Sequence, residues 1–240
     1  TDIPASTGLW QSLFIADINN DGTPDIFAGN WGYNSKLAAG KNGPLKLYVK
    51  DFDNNGKIEQ VMAYTIDGQE YPFLPKDELE RALPVLKKAY LTYGEVAGKT
   101  VQYMFYDLFK EYTELKAETL GSACFINDGN GGFLKKDLPF DQQLSPVFSF
   151  QRMPSGHTFL TGGNFLDVLP YEGFYDAASL SMFNVNSSKN NISFGRTKVV
   201  ETKGQVRDLK WLHTARYGDM LVAARNNDNL LFLQYKKETL

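Results

Sequence analysis

Acidic and amide side chains fall on every second position around a glycine in ADINNDGTPDIFAGNWG, residues 16–32. Asp17, Asn19, Asp21 and Asp25 take positions 1, 3, 5 and 9 of a loop with Gly22 at position 6 and Thr23 at position 7. Alternate oxygens converge on one point when the backbone winds tightly, and glycine permits the turn. Oxygen ligands without Cys or His select Ca²⁺ over zinc or copper, with the Thr23 carbonyl as a further donor. A second copy places Asp51, Asp53, Asn55 and Glu59 at the same positions, with Gly56 at position 6 and Lys57 as carbonyl donor. An EF-hand is excluded, because position 12 is Ala28 in one loop and Met62 in the other instead of a bidentate Glu. The bland alternative is an Asx-rich turn, closer at hand in the second loop, where Asn55 and Glu59 thin the pattern and Lys57 adds a positive charge.

The elements around these loops read as strands. Short apolar runs recur at LFIADI, DIFAG, LKLYVKDF, VMAYTI, SACFIND, VFSFQ, TFLTGGNF, SLSMFNV, KVVET, RDLKWL, MLVAARN and LLFLQY, mostly separated by Gly, Asn, Asp or Pro. Such spacing belongs to a sandwich, barrel or propeller. Residues 75–118 break the pattern. Leu79, Leu83, Leu86 and Tyr90 trace one helical face, then Val101, Met104, Phe105, Leu108 and Phe109 trace another behind a Thr100 N-cap. Pro84 should restart the first helix, and Gly94 and Gly98 mark the break between the two. The expected organisation is one mainly β domain over residues 1–240, with a helical insertion over 75–118. The glycine-rich 125–133, FINDGNGGF, lacks alternate acids and reads as a hairpin turn.

Composition narrows the function. A formal net charge of −3, with lysine pairs at Lys87, Lys135 and Lys236 set far apart, gives no basic stripe for nucleic acid. No apolar run is long enough to span a membrane. The start at Thr1-Asp2, without methionine, fits a processed or truncated product. The lone Cys124, among apolar neighbours, reads as a buried small residue.

DINNDGTPDIFAGNWG, its repeat DFDNNGKIE and the FINDGNGGF hairpin together resemble the FG-GAP or VCBS repeat family, whose β-propeller blades carry D-x-[DN]-x-[DN]-G-x-x-[DE] calcium loops. The order of further segments, from KDELERALPVLKKAYLTY through TGGNF and YDAAS to RDLKWL and ARNND, is similar to the C-terminal portion of large secreted bacterial VCBS-repeat proteins of the ASPIC/UnbV-associated kind. The resemblance covers most of the chain, although only the calcium loops are specific short motifs. It implies a propeller with Ca²⁺ at Asp17, Asn19, Asp21 and Asp25 and at Asp51, Asp53, Asn55 and Glu59, a secreted, periplasmic or cell-surface setting, and a binding role. The chain departs from the pattern in two places. The blade equivalents around Gly162 and Arg225 lack the acidic loop, and the helical insertion interrupts the second; no stretch reads as the ASPIC/UnbV region itself.

Little reads as catalytic. His157 and His213 are the only histidines, neither beside an obvious nucleophile, and no Gly-x-Ser-x-Gly, His-Glu-x-x-His or P-loop occurs. Residues 162–179 differ, gathering Phe165, Tyr171, Phe174 and Tyr175 with Asn164, Asp167, Glu172 and Asp176. Rings beside carboxylates and amides suit sugar or peptide recognition, while the plainer reading is aromatic packing at a blade junction. The expectation is therefore a propeller-like domain of about four blade equivalents, or a piece of a larger propeller. Its expected role is calcium-stabilised, non-catalytic binding of a glycan or protein, within a longer parent chain. Asn164, Phe165, Asp167, Tyr171, Glu172, Tyr175 and Asp176 are the candidate ligand residues. The competing readings are a polysaccharide lyase or hydrolase using the same loop, and a structural assembly domain.

Overall fold

The structure, a computed structural model, describes residues 3, 6–37, 39, 42–169, 172–188 and 191–235. Tyr171 and Lys236, both singled out above, lie outside the described residues. The chain opens with β1 (Ser12–Ala16) and β2 (Asp25–Gly29). It continues through β3 (Leu45–Lys50), β4 (Glu59–Ile66) and β5 (Gln69–Pro72) into α1 (Lys76–Ala82), α2 (Pro84–Ala89), α3 (Tyr93–Val96) and α4 (Val101–Phe105), then β6 (Thr113–Ala117). Next come β7 (Ala123–Asn127), β8 (Phe133–Asp137), β9 (Val147–Arg152), β10 (Thr158–Gly163), β11 (Leu180–Ser188) and β12 (Asn191–Val200). The last three strands are β13 (Gln205–Thr214), β14 (Gly218–Asn226) and β15 (Leu231–Gln234). The described chain is mainly β. Its strands form four antiparallel sheets, ordered β1-β2-β7-β8, β12-β11-β10-β9, β13-β14-β15 and β5-β4-β3-β6, and none closes on itself.

The chain divides into two compact units, one chiefly Leu9–Lys36 with Gly121–Leu240, the other chiefly Leu37–Leu120. In the first unit the three sheets stand in a row. Phe14, Phe27, Cys124 and Ile126 of the first sheet meet Phe150, Phe159, Phe183 and Val185 of the second. From its other face, Leu160 and Leu180 meet Val206, Leu209, Leu221 and Ala223 of the third. Successive strand side chains point to opposite faces, so β10 sends Phe159 one way and Leu160 the other and is apolar on both sides.

In the second unit, α1, α2 and α4 cover one face of the β5-β4-β3-β6 sheet, packing Leu79, Leu83, Leu86, Val101, Met104 and Phe105 onto Tyr48, Phe52, Val61 and Ala63. The alternation along β4 points Val61 and Ala63 into this core. Pro84 does restart the helix, as the first residue of α2, and the Thr100 side chain caps α4 by accepting from the Tyr103 amide at 3.2 Å. Two details differ from expectation. Gly94 lies inside α3, whose start is fixed by a capping box of Thr92 and Glu95, so the break falls at Gly98. The helical stretch also ends before residue 118, because residues 113–117 pair with β3 as a strand.

A polar knot holds β3 and β5 to α4. Glu70 is 2.6 Å from Lys46 and accepts from the Tyr48 hydroxyl at 2.5 Å and from the Gln102 amide. Burial works against the Glu70 charge, but the bonds from Lys46, Tyr48 and Gln102 outweigh it and hold the carboxyl below its ordinary 4.5. The stabilisation this lends is complete above the unfolded value of 4.5 and drains as pH falls through the lower folded value. Acid titration of unfolding should therefore show a loss of stability below pH 4.5 that shrinks in Glu70→Gln. An unchanged acid limb in that variant would remove Glu70 as its source.

Candidate metal loops and recognition surface

The two acidic loops share one backbone frame. The first joins β1 to β2, with Ala16 opposite Asp25, and the second joins β3 to β4, with Lys50 opposite Glu59. Strands thus flank both loops. In each, the position-1 Asp accepts the amides of positions 5 and 6: Asp17 from Asp21 and Gly22 at 3.2 and 3.0 Å, Asp51 from Asn55 and Gly56 at 3.0 and 2.8 Å. The position-7 amides of Thr23 and Lys57 both donate to the position-5 side chain at 2.8 Å. The position-9 carboxylate accepts the amide of position 2, Ile18 at 3.0 Å in one loop and Phe52 at 2.9 Å in the other, and both of these apolar residues are buried. Asn20 and Gly22 have φ of 57° and 89°, matched by 56° and 86° at Asn54 and Gly56. Left-handed turns at these points wind each loop back on itself, which is why Asn and Gly stand there.

The loops diverge at positions 3 and 9. Asp25 is fully buried and uses its second oxygen on the Asn127 amide of β7 at 2.9 Å, so it braces the sheet. Burial raises its carboxyl above the ordinary value despite the bonds from Asn127 and Ile18. Asn19 donates to Asp21 at 2.6 Å, and bonds from the Thr23 hydroxyl and amide, with that of Asn19, hold the Asp21 carboxyl below its ordinary value. In the second loop position 3 is Asp53 and position 9 is the longer Glu59. One oxygen each from Asp51, Asp53 and Glu59 lie within 4.8 Å of one another, the one such acidic group among the described residues. Oδ1 of Asp53 is buried and accepts no hydrogen bond. Three converging carboxylates, one of them with an unsatisfied buried oxygen, fit a hard cation. The position-9 Glu, which thinned the sequence pattern, is the residue long enough to turn inward.

The glycine-rich stretch forms the expected β7–β8 turn. The Asp128 amide donates to the Gly132 carbonyl at 3.1 Å, and the Asp128 side chain accepts from Asn130 and Gly132. Asn127 reaches the Pro24 carbonyl at 3.2 Å, so turn and first loop share one end of the first sheet.

Trp31 follows the other end of β2, and there the described residues of 162–179 gather. Phe165 and Tyr175 exchange backbone hydrogen bonds at 2.8 and 3.0 Å, and their rings lie 5.3 and 5.4 Å from Trp31. Asn164 is buried at φ 77°, its amide tied to Gly204 and Ala178. Asp167 is exposed and accepts from Gln205 and Asn226, both at 3.1 Å; Glu172 accepts from the Tyr175 hydroxyl at 3.3 Å. Asp176 and Phe174 are exposed. Asn164 and Tyr175 are thus consumed in building the loop, while Phe165 and Asp167 border its surface. Compared with known proteins, the chain matches no family model, no curated protein and no solved structure.

Residues that the sequence reading passed over complete this surface. Arg207 donates to the Asn164 carbonyl and to Gln205, both at 2.8 Å, and stacks 4.1 Å over Phe148 and 5.7 Å over Phe165. Among the described residues it forms no ion pair, and burial lowers its guanidinium below the ordinary value despite the nearby Asp167. Gln205, Arg207 and Asn226 lie far along the chain from Asp167, and no local pattern in the sequence links them.

His213 pairs with Asp219 at 2.8 Å on an exposed hairpin, with no nucleophile in the arrangement. Cys124 is buried as expected, and burial, aided by the Asp25 charge, pushes its thiol up to about 12. A thiol reagent at pH 8 should leave Cys124 unmodified in the folded protein and label it only as denaturant unfolds the first unit. Rapid labelling without denaturant would show the thiol to be accessible.

Proposed function

We propose that this chain is a calcium-stabilised, non-catalytic binding module of propeller-like architecture, of the FG-GAP/VCBS kind. It works outside the cytoplasm, secreted, periplasmic or on the cell surface, and recognises a glycan or a protein partner. The observation that carries this reading is the convergence of Asp51, Asp53 and Glu59, with a buried Asp53 oxygen that accepts no hydrogen bond. When bound, calcium supplies positive charge that cancels the clustered carboxylates and ties the β3–β4 connection together. The matching frame at Asp17, Asn19, Asp21, Thr23 and Asp25 supports a second, more weakly held ion. Sites of this oxygen-rich type fill where calcium is plentiful, which favours an extracytoplasmic setting.

The propeller reading draws on the first unit. Its three antiparallel sheets stand in a row, two of them, β12-β11-β10-β9 and β13-β14-β15, as meanders, with β9 packed beside both β1 and β13. Leu13 and Ile15 at one end of the row and Leu212 and Phe232 at the other point away from the two cores and are exposed, at 69, 65, 45 and 50 %. Apolar faces at both ends suit a segment of a larger propeller in a longer parent chain.

Recognition falls to the loops around Phe165, Asp167 and Arg207, at the end of the sheets opposite the first metal loop. An aromatic face, a carboxylate and a guanidinium that forms no ion pair among the described residues suit sugar hydroxyls or a polar peptide. Screening against immobilised glycans in calcium should yield binding that falls at least about tenfold in Arg207→Ala, as expected for loss of charged hydrogen bonds. Release of new reducing ends, abolished by Asp167→Ala, would replace this reading with an enzyme. Binding indifferent to both substitutions would move recognition elsewhere.

A further inference from the structure

The second unit holds a cleft that neither the metal loops nor the Arg207 surface uses. It measures about 430 Å³ and opens between the β4–β5 hairpin and α3. Tyr64 and Tyr71 are cross-strand partners whose rings, 6.2 Å apart, line one wall. Tyr93, 55 % exposed, stands on the other, and the buried Leu79 and Met104 contribute apolar surface. This volume lies in the range of small-molecule sites, which pair an apolar lining with a few placed polar groups.

Besides the tyrosine hydroxyls, of which that of Tyr93 bonds to Asp77, the polar side chains here are cationic. Lys76 lies 2.5 Å from Glu80 and is neutralised by it. Lys99 sits 4.6 Å over the Tyr103 ring, at the rim of the cleft, and forms no ion pair among the described residues, so it brings an uncompensated positive charge to that rim. Among the described residues, no Asp, Glu, Asn or Gln lines the cleft. A sugar, whose hydroxyls need several such acceptors and amides, is poorly served. A flat apolar ring lying on the Tyr64 and Tyr71 faces, with one anionic group directed to Lys99, suits this lining. We infer that this cleft binds a small aromatic carboxylate, stacked on Tyr64 and Tyr71 and paired with Lys99.

The test is calorimetric titration of the whole chain with 2-naphthoate and with its neutral amide, 2-naphthamide. The carboxylate should bind saturably and at least about tenfold more tightly than the amide, the margin of a charged hydrogen bond. Lys99→Gln should erase that preference while leaving the amide's affinity unchanged. Ala97→Trp, which fills the cleft from an exposed position without removing a wall, should abolish both, and circular dichroism would verify that each variant is folded. Absence of saturable binding to the folded wild type overturns the assignment, as does equal affinity for acid and amide. Binding insensitive to both substitutions also overturns it, as would capture of a neutral proline-rich peptide with no binding of naphthoate. Because the cleft is independent of the metal loops and of Arg207, these outcomes are separable from failure of the proposed function.

Discussion

Calcium at about 100 times its dissociation constant should stabilise the unit containing Asp51, Asp53 and Glu59 by about 2.7 kcal/mol, since the ion binds the folded loop and has no formed site in the unfolded chain. For a unit of this size, that corresponds to a rise in unfolding temperature of roughly 10–20 °C, read by scanning calorimetry with calcium and with a chelator. The decisive variant is Asp53→Ala. It removes the buried oxygen that accepts no hydrogen bond and one of three charges crowded within 4.8 Å, so it should lose the calcium-dependent shift at this loop. Without calcium the same variant should be no less stable than wild type, because the charge it deletes is repelled by its neighbours. This crossover separates a metal site from an ordinary turn, in which losing an Asp would weaken the protein whatever the calcium level. Asp21→Ala gives the matching test for the first loop. If wild type shows no calcium-dependent shift, the metal reading is wrong for both loops.

Replacing Phe27 with alanine should cost the first unit about 3–5 kcal/mol, the range for truncating a large aromatic in a close-packed core. Phe27 is fully buried, with ring centroids of Phe159, Phe150 and Phe183 at 4.8, 5.6 and 5.7 Å, and it joins the first sheet to the second. The groups left around the void are themselves large rings held by strands, which cannot collapse inward without breaking sheet register. Denaturant unfolding followed by the fluorescence of Trp10, Trp31 and Trp211, all in the first unit, would read the loss. Phe174→Ala, at a position 66 % exposed, should stay within about 0.5 kcal/mol of wild type. A Phe27→Ala cost below about 1 kcal/mol would mean that the two sheets do not depend on this ring cluster.

Each of the twelve apolar runs singled out in the sequence overlaps a strand of the fold, because each carries enough β-branched, aromatic or aliphatic side chains to bury at least one face. The strands that went unrecognised, β5, β6 and β8, are all sheet edges. An edge strand needs few apolar residues, so TELKA and FLKKD show little of the alternation that reveals a strand. The helical face of Leu79, Leu83 and Leu86, the restart at Pro84 and the Thr100 cap were equally legible, since each rests on spacing within a few residues.

The sequence by itself determined the two loop frames: Asp at position 1, residues tolerant of positive φ at positions 4 and 6, and a carboxylate at position 9 act over nine residues and need no distant partner. Only the tertiary structure decided how each frame is used. The Asn127 amide, brought from β7, occupies the second oxygen of Asp25 and turns that residue into a brace, whereas Glu59 reaches inward to meet Asp51 and Asp53. Tertiary packing likewise placed Arg207 over Phe148 and Phe165 and set Tyr64 and Tyr71 opposite Tyr93. Local geometry follows from neighbours along the chain, while the convergence that makes a site depends on which strands and helices are packed side by side.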